Sequence, residues 1–354
     1  VKDKRISWVQ HYLVDGLSGM ALGLFSTLIV GLILQQLGSL TGLWFLSAFG
    51  KMASVLTGVG IGIGVAHRFK VPPLVLYASA VTGFIGGYAK GILAHTIFQD
   101  GQVVLAGPGE PLGAFIAAVV GIEIGRRIIG RTPLDIVLTP LVTILTGAGS
   151  GLLIGPYISD VMTMLGHLIV AATEQEPFIM GIFVSLLMGM LLTLPISSAA
   201  LSIILGLSGL AAGAATVGCS TQMIGFAVAS YRENKLSGLV AQGLGTSMLQ
   251  VGNIIKNPRI WIPPTLASAI LGPVSTVVFK MSNNASGAGM GTSGFVGQLM
   301  TWQTMSPERS SYLLLIQIVV LHFILPAVLT FTISELMRKK MWIKPGDMSL
   351  NVDE

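Results

Sequence analysis

Between Leu191 and Pro264 the chain sets proline, serine, threonine, glutamine and asparagine into runs otherwise apolar enough for a bilayer. The stretch opens LLTLPISSAALSIILGLSGLAAGAATVGCSTQ and closes GLGTSMLQVGNIIKNPRIWIPP. In hydrocarbon every backbone N–H and C=O needs a partner, so the chain leaves a helical path only where protein or a polar cavity receives it. Polar breaks at membrane depth therefore predict discontinuous helices around a polar site, an arrangement suited to a permease for a small molecule. Composition removes the soluble alternative. Only 10% of the residues are charged and 52% are hydrophobic, whereas soluble domains carry roughly 25% charged residues. The expected fold is an all-α polytopic membrane protein with broken or re-entrant helices.

The apolar pattern predicts spans over 16–37, 44–66, 72–94, 112–124, 134–156, 177–195, 198–216, 261–281 and 311–336, with a shorter segment at 220–231. Residues 158–176 and 236–260 read as mixed or amphipathic, and the Gly/Ser/Asn-rich 282–310 as a loop. Residues 1–14, basic with Trp8 and Tyr12, suit an amphipathic interfacial helix. The organisation is then an interfacial helix over 1–14, one transmembrane domain over 15–337 and a tail over 338–354. The start reads as a retained first helix rather than a cleaved signal. The alternating glycines of GVGIGIG at 58–64 lack the strand-turn-helix setting of a nucleotide loop. Close helix packing or a bend explains them.

Lysine and arginine set the orientation. Clusters at 2–5, 67–70, 126–131, 232–235 and 338–340 are separated by even numbers of expected spans, so all can face one side. The pattern predicts about ten spans with both termini in the cytoplasm; Lys51, Lys90 and Lys280 fit it poorly.

Few ionisable groups sit at membrane depth, where each is a functional candidate. Glu123 lies three residues before Arg126 and four before Arg127, on the same helix face, so a local ion pair is expected. Asp135, two residues after Pro133, suits a helix start. His167 and His322 lack partners at metal-ligand spacing. The lone Cys219 excludes an intrachain disulfide and reads as a small buried residue. No metal and no cofactor are expected, and no catalytic residue is identifiable. The net charge of +5 reflects loop asymmetry, not affinity for nucleic acid. The stronger signal is a neutral set: Ser197, Ser198, Gln222, Thr246, Ser247, Gln250, Asn253 and Asn257. Such groups suit a hydroxylated solute better than an ion or a lipid. Hydrogen bonding between helices is the competing explanation for each of them taken singly.

LLTLPISSAA resembles the Asp-Met-Gly-Gly-Pro-Val-Asn-Lys-Ala-Ala run of fructose-type enzyme IIC permeases of the bacterial sugar phosphotransferase system. Pro195, Ala199 and Ala200 match; Ser197 and Ser198 stand at Asn-Lys, and the aspartate and both glycines are missing. PLGAFIAAVVGIEIG at 111–125 is similar to the family's Gly-Ala-rich helix, and LTPLVTILTGAGSGLLIG to the Pro-Leu span after it. Asn257-Pro258 followed by IPPTLASAILG resembles its Asp-Pro and Pro-x-x-x-x-Gly pattern. GLGTSMLQVG stands where the family has Gly-Ile-Thr-Glu-Gly and contains no glutamate. The resemblance is strongest to the divergent branch of membrane regulators related to the perfringolysin regulator. It implies a homodimer in the bacterial inner membrane, surrounded by lipid, that binds a sugar-like small molecule. Phosphorylation of that solute would require phosphotransferase proteins supplied in trans. A transporter that leaves its solute unmodified, and a membrane-bound sensor, are the alternatives on the same fold.

Overall fold

A computed structural model describes residues 9–350 apart from 100, 101, 106 and 308. The expected interfacial helix over 1–14 thus falls mostly outside the described residues, as do the last four residues of the tail. The chain is helical almost throughout and divides into two compact units, Val1–Met162 and Thr163–Glu354.

The first unit contains α1 (Gln10–Ser39), α2 (Trp44–Val55) and α3 (Thr57–Arg68), the last two meeting at a 55° bend. It continues with α4 (Pro73–Gly87), a two-residue antiparallel hairpin β1 (Phe98–Gln99) and β2 (Gln102–Val103), and α5 (Pro111–Ile128). The 39-residue α6 (Asp135–Thr173) runs across the boundary between the units. Pro73 and Pro111 open their helices at positions where the missing N–H costs nothing. The GVGIGIG run both follows the bend and packs α3. Residues two apart on a helix face opposite ways, so Gly60 and Gly64 lie against Gly23 and Gly19 of α1. Gly58 and Gly62 lie against Gly83 and Ser79 of α4. A Cβ at any of the four would meet neighbouring backbone.

At one end of this unit Glu123 pairs with Arg126 at 2.8 Å, the local ion pair expected, and His11 adds its Nε2 at 3.5 Å. His11 in turn stacks on Phe69 with ring centroids 4.0 Å apart. The basic groups at 67–70 and 126–131 therefore share an end. Asp135 stands at the start of α6 and accepts from Gly130 N and Thr132 Oγ1.

The second unit holds α7 (Pro177–Thr193), α8 (Ser198–Ile204), α9 (Gly209–Ala229), α10 (Val251–Lys256), α11 (Pro258–Val278), α12 (Val296–Met305) and α13 (Ser311–Lys339). Helix α9 is its axis, buried on nearly every side. It packs backbone-to-backbone on α7, where Gly218 sits on the Ser185 carbonyl and Gly189 on that of Gly218. One end of α9 and α13 is held by Arg338 on Glu233 at 2.9 Å and Arg232 on Glu335 at 3.0 Å. The clusters at 232–235 and 338–340 thus also share an end.

Several boundaries differ from the sequence reading. The segments expected at 198–216 and 220–231 are not divided near 217–219. The break comes at 205–208, where Gly206 and Gly209 take φ of +60° and +59°, a conformation glycine adopts without steric cost. Residues 158–176 are mostly a continuation of α6. Residues 236–260 are not one amphipathic helix; the backbone turns extended at Thr246 and again at Asn257. Residues 287–294, within the stretch expected as a loop, are buried. Among the described residues five helices are long and apolar enough to cross a membrane, six if α2 and α3 count as one bent span. The rest of the apolar sequence is in shorter pieces such as α4 and α7.

Candidate functional site

Ser220 and Gln222 lie two residues apart on α9, so their side chains leave the helix in nearly opposite directions. Each anchors a buried polar cluster, and the clusters differ in one chemical respect.

In the Gln222 cluster every polar side-chain atom has a partner. Gln222 Oε1 accepts from Thr193 Oγ1 at 3.2 Å and from Trp261 Nε1 at 3.0 Å, while Nε2 donates to Thr265 Oγ1 at 3.2 Å. Thr193 Oγ1 also lies 2.8 Å from Ser247 Oγ. These residues come from the end of α7, the middle of α9, the turn after Thr246 and the start of α11. Two of the four elements meet a break in the helical path, α7 ending at Leu194 and the turn beginning at Thr246. Thr246 itself caps the next turn by accepting from Met248 N. The expected set missed Thr193, Trp261 and Thr265. Trp261 and Thr265 sit four apart, on one helix face, which was a usable signal.

The remaining expected residues go elsewhere. Ser198 Oγ donates to the Gly289 carbonyl at 2.7 Å and ties α8 to the buried stretch 287–294; Ser197, its neighbour, is also engaged. Gln250, Asn253 and Asn257 hold the C-terminal segment. Gln250 Nε2 donates to Met348 O at 2.9 Å, Asn253 Nδ2 to Ser349 O at 2.9 Å and Asn257 Nδ2 to Asp347 Oδ2 at 2.7 Å. Asn234 joins them with a bond to Met348 O. Beneath these bonds Ile343 and Met348 complete an apolar cluster with Phe226, Ile254, Ile260 and Met337.

The Ser220 cluster is unsaturated. Gln298 Nε2 donates to Ser220 Oγ at 3.4 Å and lies 3.1 Å from His322 Nδ1. An amide nitrogen only donates, so His322 Nδ1 is the acceptor and the neutral ring carries its proton on Nε2. Gln298 Oε1 and His322 Nε2 are both buried and have no partner. His322 is fully buried within a π-turn, Val320–Ile324, just before Pro326, which cannot donate the helical bond to the His322 carbonyl. Gln298 was missed because 282–310 read as a loop.

Among the described residues no group of three or more His, Cys, Asp or Glu side chains could hold a metal ion. Cys219 is buried, with Sγ 3.4 Å from the Met188 carbonyl. Neither cluster contains a carboxylate.

Comparison with protein families matches residues 14–350 to the family described as "Phosphotransferase system, EIIC". Comparison with curated proteins and with solved structures gives no match.

Proposed function

Because the chain belongs to the phosphotransferase system EIIC family, and is thus a multi-pass membrane permease component of that system, we propose that it binds and translocates a neutral, sugar-like solute. The observation that carries this reading is the family match, which spans residues 14–350. Its chemistry is supported by the two neutral clusters flanking α9. We therefore treat 15–337 as one functional domain, with the solute held beside α9 and Gln222 and Ser247 in the wall. Ser197, Ser198 and Thr246 shape the breaks around them, and Gln250, Asn253 and Asn257 support the wall by anchoring the tail. The fructose-type and regulator-like affinities, homodimeric assembly, bacterial inner-membrane location and cytoplasmic termini belong to the same proposal. The shared ends of the basic clusters within each unit support that orientation.

A second reading has one observation in its favour. Transfer of a phosphoryl group to a hydroxyl calls for a base to receive the proton, and neither cluster offers a carboxylate. Uptake without modification, or solute sensing, fits that feature. Proteoliposomes given labelled hexoses and hexitols separate the cases. Saturable uptake of one of them supports translocation, and dependence of that uptake on the phosphoenolpyruvate-driven relay separates the permease of that system from uptake without modification. Binding without uptake favours a sensor, and neither binding nor uptake contradicts the proposal.

A further inference from the structure

A polar side chain buried in an apolar interior costs about 1–3 kcal/mol for each hydrogen-bonding atom left without a partner. The Gln222 cluster avoids that cost, since its bonds close on one another across four elements. The cluster on the other side of α9 does not. There a single bonded pair, Gln298 and His322, leaves one acceptor (Gln298 Oε1) and one donor (His322 Nε2–H) open, both sealed from solvent. Gln298 is 7% exposed and His322 0%. We propose that the paired Gln298 and His322 side chains form the hydroxyl-recognising subsite of the solute site, and that the Gln222 cluster is the fastening that holds the helix breaks in place.

The chemistry of the two open atoms selects the ligand class. The two open atoms lie on opposite flanks of the bonded pair, so a solute must bring two hydroxyls, one giving its proton to Gln298 Oε1 and another accepting from His322 Nε2–H. An anion would satisfy the histidine and face the amide oxygen unfavourably. A cation would do the reverse. The fit is to a neutral polyol or sugar. Ser220 holds the amide from behind, and the π-turn carries the ring on the buried helix face. This inference rests on the permease reading and deepens it.

The test is equilibrium binding of labelled mannitol, fructose and glucose to the purified full chain in detergent, for wild type, Gln298→Leu and His322→Phe. Binding of a probe to wild type with a loss of about tenfold or more in both variants is expected, as for the removal of a buried hydrogen bond. Affinity within twofold of wild type in both variants overturns the subsite while leaving the permease intact. If wild type binds none of the probes, the subsite falls together with the permease reading. Should the variants fail to fold, histidine-labelled wild type decides by ¹⁵N NMR. A bound probe should shift the His322 Nε2 proton. A resonance unmoved at saturation means that the pair holds only a structural water, and overturns the proposal.

Discussion

Gln222 closes three hydrogen bonds from a helix that is buried all around, so replacing it leaves partners stranded. Gln222→Leu should lower stability by on the order of 1–3 kcal/mol, read by thermal or denaturant unfolding in detergent. Glycine is equally specific. A Cβ at Gly218 would run into the Ser185 carbonyl, whereas one at Gly149 would meet nothing within 4 Å. Gly218→Ala should destabilise by about 1–3 kcal/mol through overpacking, and Gly149→Ala should melt as wild type does. In the first unit, burial raises the Glu110 carboxyl to about 7, with Oε1 sealed and Lys90 only partly offsetting the effect. The folded state then holds its proton more tightly than the unfolded state, so the contribution of Glu110 to stability falls as pH rises from about 4.5 to 7. Glu110→Gln should flatten that part of the melting profile between pH 5 and 8; an unchanged profile would count against a buried acid. Gln222 and Ser247 could be picked out as polar residues in apolar runs. Gln250, Asn253 and Asn257 carry the same local signal yet bond to residues about 90 positions later, which no local pattern reveals.

Among the elements, the helix breaks were legible in kind and less so in place. Proline and serine mark the turn after α7, and the extended backbone at Leu194 lies there. The next break was missed by about ten residues because glycine has two uses. Gly206 and Gly209 supply left-handed backbone, while Gly213 and Gly218 stay helical and serve close packing. Composition alone does not separate these roles. The C-terminal segment 341–350 is the other element hidden from the sequence, held by side-chain amides over a buried Met348. Met348→Ala should cost about 2–5 kcal/mol, as for other large core truncations. Asn253→Ala should speed hydrogen exchange at the Lys344 and Leu350 amides, which bond to Asp347 and Asn234. Unchanged exchange there would mean that the tail is held by its apolar contacts alone.

For the molecule as a whole, membrane class followed from charge content, and the even spacing of basic clusters agrees with the shared ends inside each unit. The number of spans did not follow. An apolar run of 15–20 residues reads alike whether it crosses the bilayer or dips into it, and α4 and α7, at 15 and 17 residues, fall in that range. The division into Val1–Met162 and Thr163–Glu354 had no marker either, because no proline, charge run or Gly-rich linker stands at 162–163. The protein is a permease component of the phosphotransferase system, yet neither polar cluster holds a carboxylate. The most direct test encloses the phosphoenolpyruvate-driven relay in proteoliposomes and separates the labelled compounds inside. The expected product is sugar phosphate that accumulates only when the relay is complete. Free sugar, entering at the same rate with or without the relay, would contradict that expectation.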